Sequence, residues 1–180
     1  MKAVAIQGIR GSYSEEAARR LLGDTIGIVE CETFDRVLDA FRRNEADCLV
    51  LPIENKIVGE IAEAKDLYAA SGLREIDRIR LTVDHVLVGT TSATIENIRS
   101  VRSHIEALRQ CNRLFAENLE LEPVIGDDTA SSIRQIMDDA IAENAAIGSR
   151  RAAEMYGGKI LRENIADEPE NWTEFYLIGG

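Results

Sequence analysis

The chain has 180 residues, 45% of them hydrophobic, 29% charged and 5% aromatic, and its 21 Lys plus Arg against 32 Asp plus Glu leave a net charge of −11. That apolar fraction excludes a disordered chain, and the acidic balance argues against a general binder of nucleic acid or anionic membrane. The length suffices for one core, or two small lobes, without covalent staples.

Cys31, Cys48 and Cys111 are odd in number and widely spaced, with no C-x-x-C pair. They read as small buried hydrophobes in a reducing compartment rather than as a disulfide framework or zinc site. The first apolar run, Ala3 to Ile6, is too short for a signal peptide. No stretch approaches the ~20 apolar residues of a membrane span, so a cytoplasmic protein is expected.

In chain order, Lys2–Ile6 reads as a buried strand and Gly8–Ser14 as a loop. Glu15–Leu22 follows as a helix closed by Gly23, with Ser12 as N-cap and Glu15 reaching back to form a capping box. Ile26–Cys31 is a second strand. Thr33–Asn44 is an amphipathic helix with Phe34, Val37, Leu38 and Phe41 on one face. Asp47–Leu51 is a third strand, stopped by Pro52, and a loop at 53–60 leads to a helix near Ile61–Ala70. Alternation over Arg78–Val88 puts Ile79, Leu81, Val83, His85 and Leu87 on one face of a long strand. The spacing then predicts strands at Ile98–Ser103, Glu122–Ile125, Ala145–Ile147, Lys159–Arg162 and Phe175–Ile178. Between them lie helices at about Ile105–Asn118, Asp128–Ile141 and Arg150–Tyr156. This order implies α/β layers with mainly parallel strands. The extended segment 78–89 is the best boundary between two lobes, and loops that follow strands are where such sheets hold anionic ligands.

Those loops carry a family resemblance. Gly8-Ile9-Arg10-Gly11-Ser12-Tyr13-Ser14 with Ala17-Ala18 resembles the G-P-x-G-T-F-S opening of prephenate dehydratases. Pro52-Ile53-Glu54-Asn55 resembles their P-I-E-N-S loop, and Ser103-His104-x-x-Ala107-Leu108-x-Gln110-Cys111 their S-H-P-x-A-L-x-Q-C segment. Asp128-Thr129-Ala130, Ala145–Ser149 and Ala152–Gly157 continue the match, and Asn171-Trp172-Thr173-Glu174-Phe175 stands where the family has N-x-T-R-F. The match runs in order over essentially the whole chain.

The resemblance implies an α/β, two-lobed fold like type II periplasmic binding proteins, with mainly parallel sheets and a cleft between lobes. Lobe 1 is expected at about 1–78 plus 163–180, and lobe 2 at about 79–162. It implies loss of CO₂ and water from the dicarboxylate prephenate, or from arogenate, in phenylalanine biosynthesis. No metal or organic cofactor is called for, and a homodimer or higher homo-oligomer is usual. Members commonly continue into a phenylalanine-binding regulatory domain; the expectation here is a catalytic domain alone.

By the same resemblance Thr173 is the catalytic hydroxyl, and Asn55, Ser103 and Gln110 are its partners at the substrate. Gly11, Ser12, Glu54, Lys56, Thr129, Ala130, Ser149 and Phe175 line the binding site. From the residues alone, Thr173 is equally a β-branched strand residue, Asn55 a turn former and Gln110 a solvated helix position. Ser12 equally caps its own helix. His85 and His104 lack the partners of a triad or metal cluster and read as structural. A dianion would be held locally, by backbone N–H groups at Gly11–Ser14 and Thr129–Ser131, by hydroxyls, and by Arg10 or Lys56.

Two residues depart from the family pattern: Glu174 replaces Arg, and Lys56 replaces Ser. If Thr173 faces the ligand, strand alternation turns Glu174 away, and Lys56 is expected either to return a positive charge near the pocket or to pair with Glu174. Two other readings use the same fold: a decarboxylase that leaves the ring non-aromatic, and a silent binding protein for small anions.

Overall fold

The computed structural model describes residues 2–180, which form two compact units. The first is the chain up to Val83 together with Asn171–Gly180; the second is the continuous stretch Asp84–Glu170. Both are α/β, as expected.

Unit 1 is built on β1 (Ala3–Gln7), β2 (Gly27–Cys31), β3 (Cys48–Asn55), β4 (Gly59–Glu60), β5 (Arg74–Thr82) and β11 (Trp172–Gly179). The strand order is β2-β1-β3-β11-β5, with β4 added to β3. Three helices cover it: α1 (Tyr13–Leu22), α2 (Phe34–Arg42) and α3 (Ala62–Ser71). Ser12 and Thr33 start the first two by accepting from the N–H groups of Glu15 and Arg36, both at 3.3 Å. Alternate strand residues then serve two cores. Val4, Ile6, Val50, Phe175 and Leu177 pack with Ala17 and Ala18 of α1; Ala5, Leu49, Leu51 and Ile178 pack with Val37 and Leu38 of α2 and Leu67 of α3.

Pro52 does not stop β3. The strand runs on to Asn55, and Pro52 sits beside a register shift against β11, where a missing N–H is tolerated. The shift sets Phe175 opposite Pro52 but Thr173 opposite Asn55. Three residues of β3 thus span two of β11, and Asn55 arrives on the same face as Thr173.

Unit 2 carries β6 (Val86–Gly89), β7 (Ser100–Ser103), β8 (Glu122–Ile125), β9 (Asn144–Gly148) and β10 (Lys159–Arg162), in the order β10-β6-β9-β7-β8. Its helices are α4 (Ile105–Arg109), α5 (Asn112–Glu117), α6 (Thr129–Asp139) and α7 (Arg150–Tyr156). Leu87, Val101, Ala145 and Ile147 form its core with Leu108 and Leu114.

Three expectations need correction. The long strand at 78–88 is two strands, β5 and β6, in different sheets; the chain crosses from one unit to the other at Val83–His85, so those side chains share no face. The helix expected over 105–118 breaks at Gln110 and Cys111. Asp167 causes the break: its carboxylate accepts from the N–H groups of Asn112 and Arg113, both at 2.9 Å, and its own N–H donates to the Gln110 carbonyl at 2.7 Å. Finally, parallel pairing holds for β1 with β2 and β3 and for β7 with β8 and β9, but both sheets are mixed. β4, β5, β6, β10 and β11 all pair antiparallel with a neighboring strand.

Candidate functional site

In unit 1 the center is Thr173, 7% exposed near the start of β11. Its Oγ1 accepts from Asn55 Nδ2 at 2.9 Å. The same amide nitrogen donates to Asn171 Oδ1 and to the Trp172 carbonyl, each at 3.0 Å, so its two hydrogens are shared among three acceptors. Asn55 Oδ1 accepts from the N–H groups of Ile57 and Val58, both at 3.0 Å, which holds the turn beyond β3. Asn55 was expected to meet the ligand; its amide is instead committed within the protein. A hydroxyl that accepts from an amide keeps its own hydrogen to donate, so this network orients the Thr173 O–H as a donor.

Asn171 is the residue that sequence reasoning passed over here. It is 3% exposed and lies beside Asn55, and its carbonyl accepts from Val83 N–H at 3.0 Å. Its place in the N-x-T motif was the available signal. Phe175, expected at the ligand, is core: it is 2% exposed and packed with Leu81 and Leu177. Lys56 donates its backbone N–H to the Trp172 carbonyl at 2.9 Å, and Glu54 lies opposite both Glu174 and Glu60 in the sheet.

Glu174 does not pair with Lys56. Its neighbor in the register with β5 is Arg80, whose guanidinium meets the carboxylate at 2.8 Å while Arg78 approaches to 4.0 Å. Arg80 also stacks on Trp172 at 4.1 Å, and Arg78 on Tyr176 at 4.8 Å. Alternation along β11 sends this cluster to the face opposite Thr173.

The loop before α1 is held by Glu15, which is fully buried. Its carboxylate reaches the Gly11 N–H at 2.7 Å, rather than the Ser12 N–H, and pairs with Arg19 at 2.7 Å. Gly11 sits at φ +91°, a turn that favours glycine, and its N–H is given to Glu15. Arg10 donates its backbone N–H to Glu30 at 2.7 Å.

In unit 2, Ser103 ends β7 and is fully buried; its hydroxyl donates to the Ile147 carbonyl at 2.7 Å. Ser103 and Gln110 do not lie on one helix. His104 is the N-cap of α4 and Gln110 closes it. Gln110 Oε1 lies 2.9 Å from Nε2 of His85, which is 3% exposed. Burial holds the His85 pKa below the ordinary histidine value, against the opposing effects of the Gln110 hydrogen bond and of Asp84.

Thr129 and Ala130 open α6. Asp128 caps it by accepting from Ser131 N–H at 2.7 Å, and the N–H groups of Thr129 and Ala130 lie in a first turn where no helical carbonyl reaches them. Gly148 lets this turn approach β9, since a Cβ there would meet Ile133 Cδ1 at 2.6 Å and the Thr129 carbonyl at 3.2 Å. Ser149 is spent as the N-cap of α7, accepting from Ala152 N–H at 3.0 Å.

All three thiols are buried and pushed up from the usual range by desolvation, Cys111 to about 12, so none is a ready nucleophile. Among the described residues no group of three or more His, Cys, Asp or Glu side chains could hold a metal, and no helix is long and apolar enough to cross a membrane.

The family model described as prephenate dehydratase matches residues 4–180. Arogenate dehydratase/prephenate dehydratase 2 of Arabidopsis thaliana, a chloroplastic protein, is 39% identical over 97% of this chain and 45% of its own length. The chain therefore spans less than half of that relative. Among solved structures, prephenate dehydratase from Arthrobacter aurescens in complex with L-Phe has a TM-score of 0.87 at 28% identity, covering 98% of this chain and 60% of that one. GqqA, described as a quorum quenching acylase, has a TM-score of 0.86 at 30% identity, covering 99% and 64%.

Proposed function

Because this chain belongs to the prephenate dehydratase family, we propose that it turns prephenate into phenylpyruvate, or arogenate into phenylalanine, with release of CO₂ and water. The bond from the ring to its carboxyl group breaks, its electron pair becomes a ring double bond, and the ring hydroxyl leaves and is protonated to water. Aromatisation drives the reaction, so the protein's tasks are to orient the substrate and to stabilise the departing oxygen.

The observation that carries this reading is the hydrogen bond from Asn55 to Thr173. With Oγ1 accepting from the amide, the O–H remains a donor for the leaving oxygen. Glu174 does not oppose a dianion, since Arg80 and Arg78 neutralise it on the other face of β11. A cytoplasmic, homo-oligomeric enzyme completes the reading, supported by the three unpaired thiols and by the family.

The test is to incubate purified protein with prephenate and with arogenate and to follow phenylpyruvate, phenylalanine and non-aromatic keto acid. Aromatic product, lowered about 10²-fold or more by Thr173→Val, supports the proposal. A non-aromatic product, or saturable binding without turnover, overturns it.

A further inference from the structure

The start of β11 gathers three polar side chains on one face of the unit 1 sheet. Asn55 stands opposite Thr173 in the register, and Asn171, two residues before Thr173, is its diagonal neighbor. All three are buried. Asn55 Oδ1 is taken by the N–H groups of Ile57 and Val58, which turns its NH₂ end toward β11. There Nδ2 meets Thr173 Oγ1 at 2.9 Å, and Asn171 Oδ1 and the Trp172 carbonyl at 3.0 Å each. The Trp172 carbonyl already accepts from Lys56 N–H at 2.9 Å. The two amide hydrogens are therefore best divided one each between Thr173 and Asn171, with the carbonyl as a shared contact.

We propose that Asn171 is a positioning residue for Thr173: its Oδ1 holds one hydrogen of the Asn55 amide so that the other stays on Thr173 Oγ1. The role deepens the reading above and rests on it, because it takes the Thr173 hydroxyl as the group that meets the departing oxygen. Three features support it. An amide nitrogen accepts no hydrogen bond, so the atom that Asn171 turns to Asn55 is its oxygen, which can only accept. The backbone of Asn171 is fixed, since its carbonyl accepts from Val83 N–H at 3.0 Å and carries the β5–β11 ladder one residue past Trp172. Burial then makes the contact costly to lose: without Asn171 Oδ1 the hydrogen it holds has only the Trp172 carbonyl to turn to, which draws the amide off Thr173.

The experiment compares Asn171→Leu, which removes the acceptor, with Asn171→Asp, which keeps one. Both variants lose the NH₂ end of Asn171 and whatever it bonds, so the difference between them reads the Oδ1 contact. Far-UV circular dichroism and thermal unfolding confirm that each variant is folded. Expected in Asn171→Leu is a fall of about tenfold in kcat for prephenate with KM changed less than about twofold, recovered largely in Asn171→Asp. In a Thr173→Val background Asn171→Leu should bring no further loss, because the hydroxyl it serves is gone. Losses that multiply in that double variant, a folded Asn171→Asp as impaired as Asn171→Leu, or an effect carried by KM overturns the proposal. A second readout needs neither turnover nor a variant: the side-chain amide hydrogens of Asn55 in the wild-type NMR spectrum should exchange with solvent about 10²-fold more slowly than those of an exposed asparagine. Exchange as fast as an exposed asparagine's overturns the contact itself. Wild-type protein that converts neither prephenate nor arogenate overturns the functional reading, and this role with it, even where the Asn55 amide is protected.

Discussion

Glu174 of β11 and Arg80 of β5 face each other across the sheet, and their charged groups meet at 2.8 Å. The pair is lopsided, with the glutamate side chain only 10% exposed and the arginine 57% exposed. Where the family motif carries a positive charge on β11, this chain carries it on the neighboring strand. Glu174→Arg should therefore place three arginines together and lower stability by about 1–2 kcal/mol, a fall of several °C in Tm. Adding Arg80→Glu should recover most of the loss. Because the cluster lies on the face away from Thr173, kcat should change less than about tenfold in either variant. Thermal unfolding beside steady-state kinetics checks both halves.

Asn55 serves two masters, the turn at Ile57–Val58 through Oδ1 and Thr173 through Nδ2. Asn55→Asp keeps an oxygen for the turn but sets a second one against Asn171 Oδ1, the Trp172 carbonyl and Thr173 Oγ1. The threonine must then donate to the aspartate and can no longer donate to the leaving oxygen. Turnover should fall about 10²-fold, with a smaller effect on KM. Asn55→Ala, which strands the turn amides as well, should cost about 2–3 kcal/mol of stability in addition.

Stability should depend on pH through His85. In the unfolded chain this histidine binds a proton as pH falls through its ordinary value near 6.5; in the folded protein burial holds its pKa lower. Between those values the unfolded state holds more protons, so stability rises with pH and is lost as pH drops below about 6.5. Asp84 tempers the effect, since it favours the charged ring. Urea unfolding of wild type and of His85→Gln at several pH values between about 5 and 7.5 should show a steeper loss in the wild type.

What could be read from the residues was what their immediate neighbors decide. Ser12 caps α1 and Asp128 starts α6 where a hydroxyl or a carboxylate precedes apolar periodicity, and β1 and β3 are buried because their apolar runs are continuous. What escaped was decided at a distance. The break at Gln110 is imposed by Asp167, far along the chain. The destination of the Ser103 hydroxyl is a carbonyl on β9, and the partner of Glu174 depends on a sheet register that no local pattern reveals. Pro52 misled because its missing N–H normally ends a ladder; the register shift beside it lets the strand continue, and that same shift brings Asn55 to Thr173.

The placement of β11 between β3 and β5 has a consequence for how the molecule is born. Unit 2 is one continuous stretch, so all its strands are available once Glu170 has left the ribosome. Unit 1 must wait with a gap in its sheet, β3 and β5 unjoined, until residues 172–179 emerge to fill it. Thr173 rides on that last strand, so the candidate catalytic hydroxyl is set in place by the same event that seals the sheet. A chain released after Glu170 would hold every strand of the second unit while the first stayed open, with the β3 and β5 edges exposed to capture by another chain.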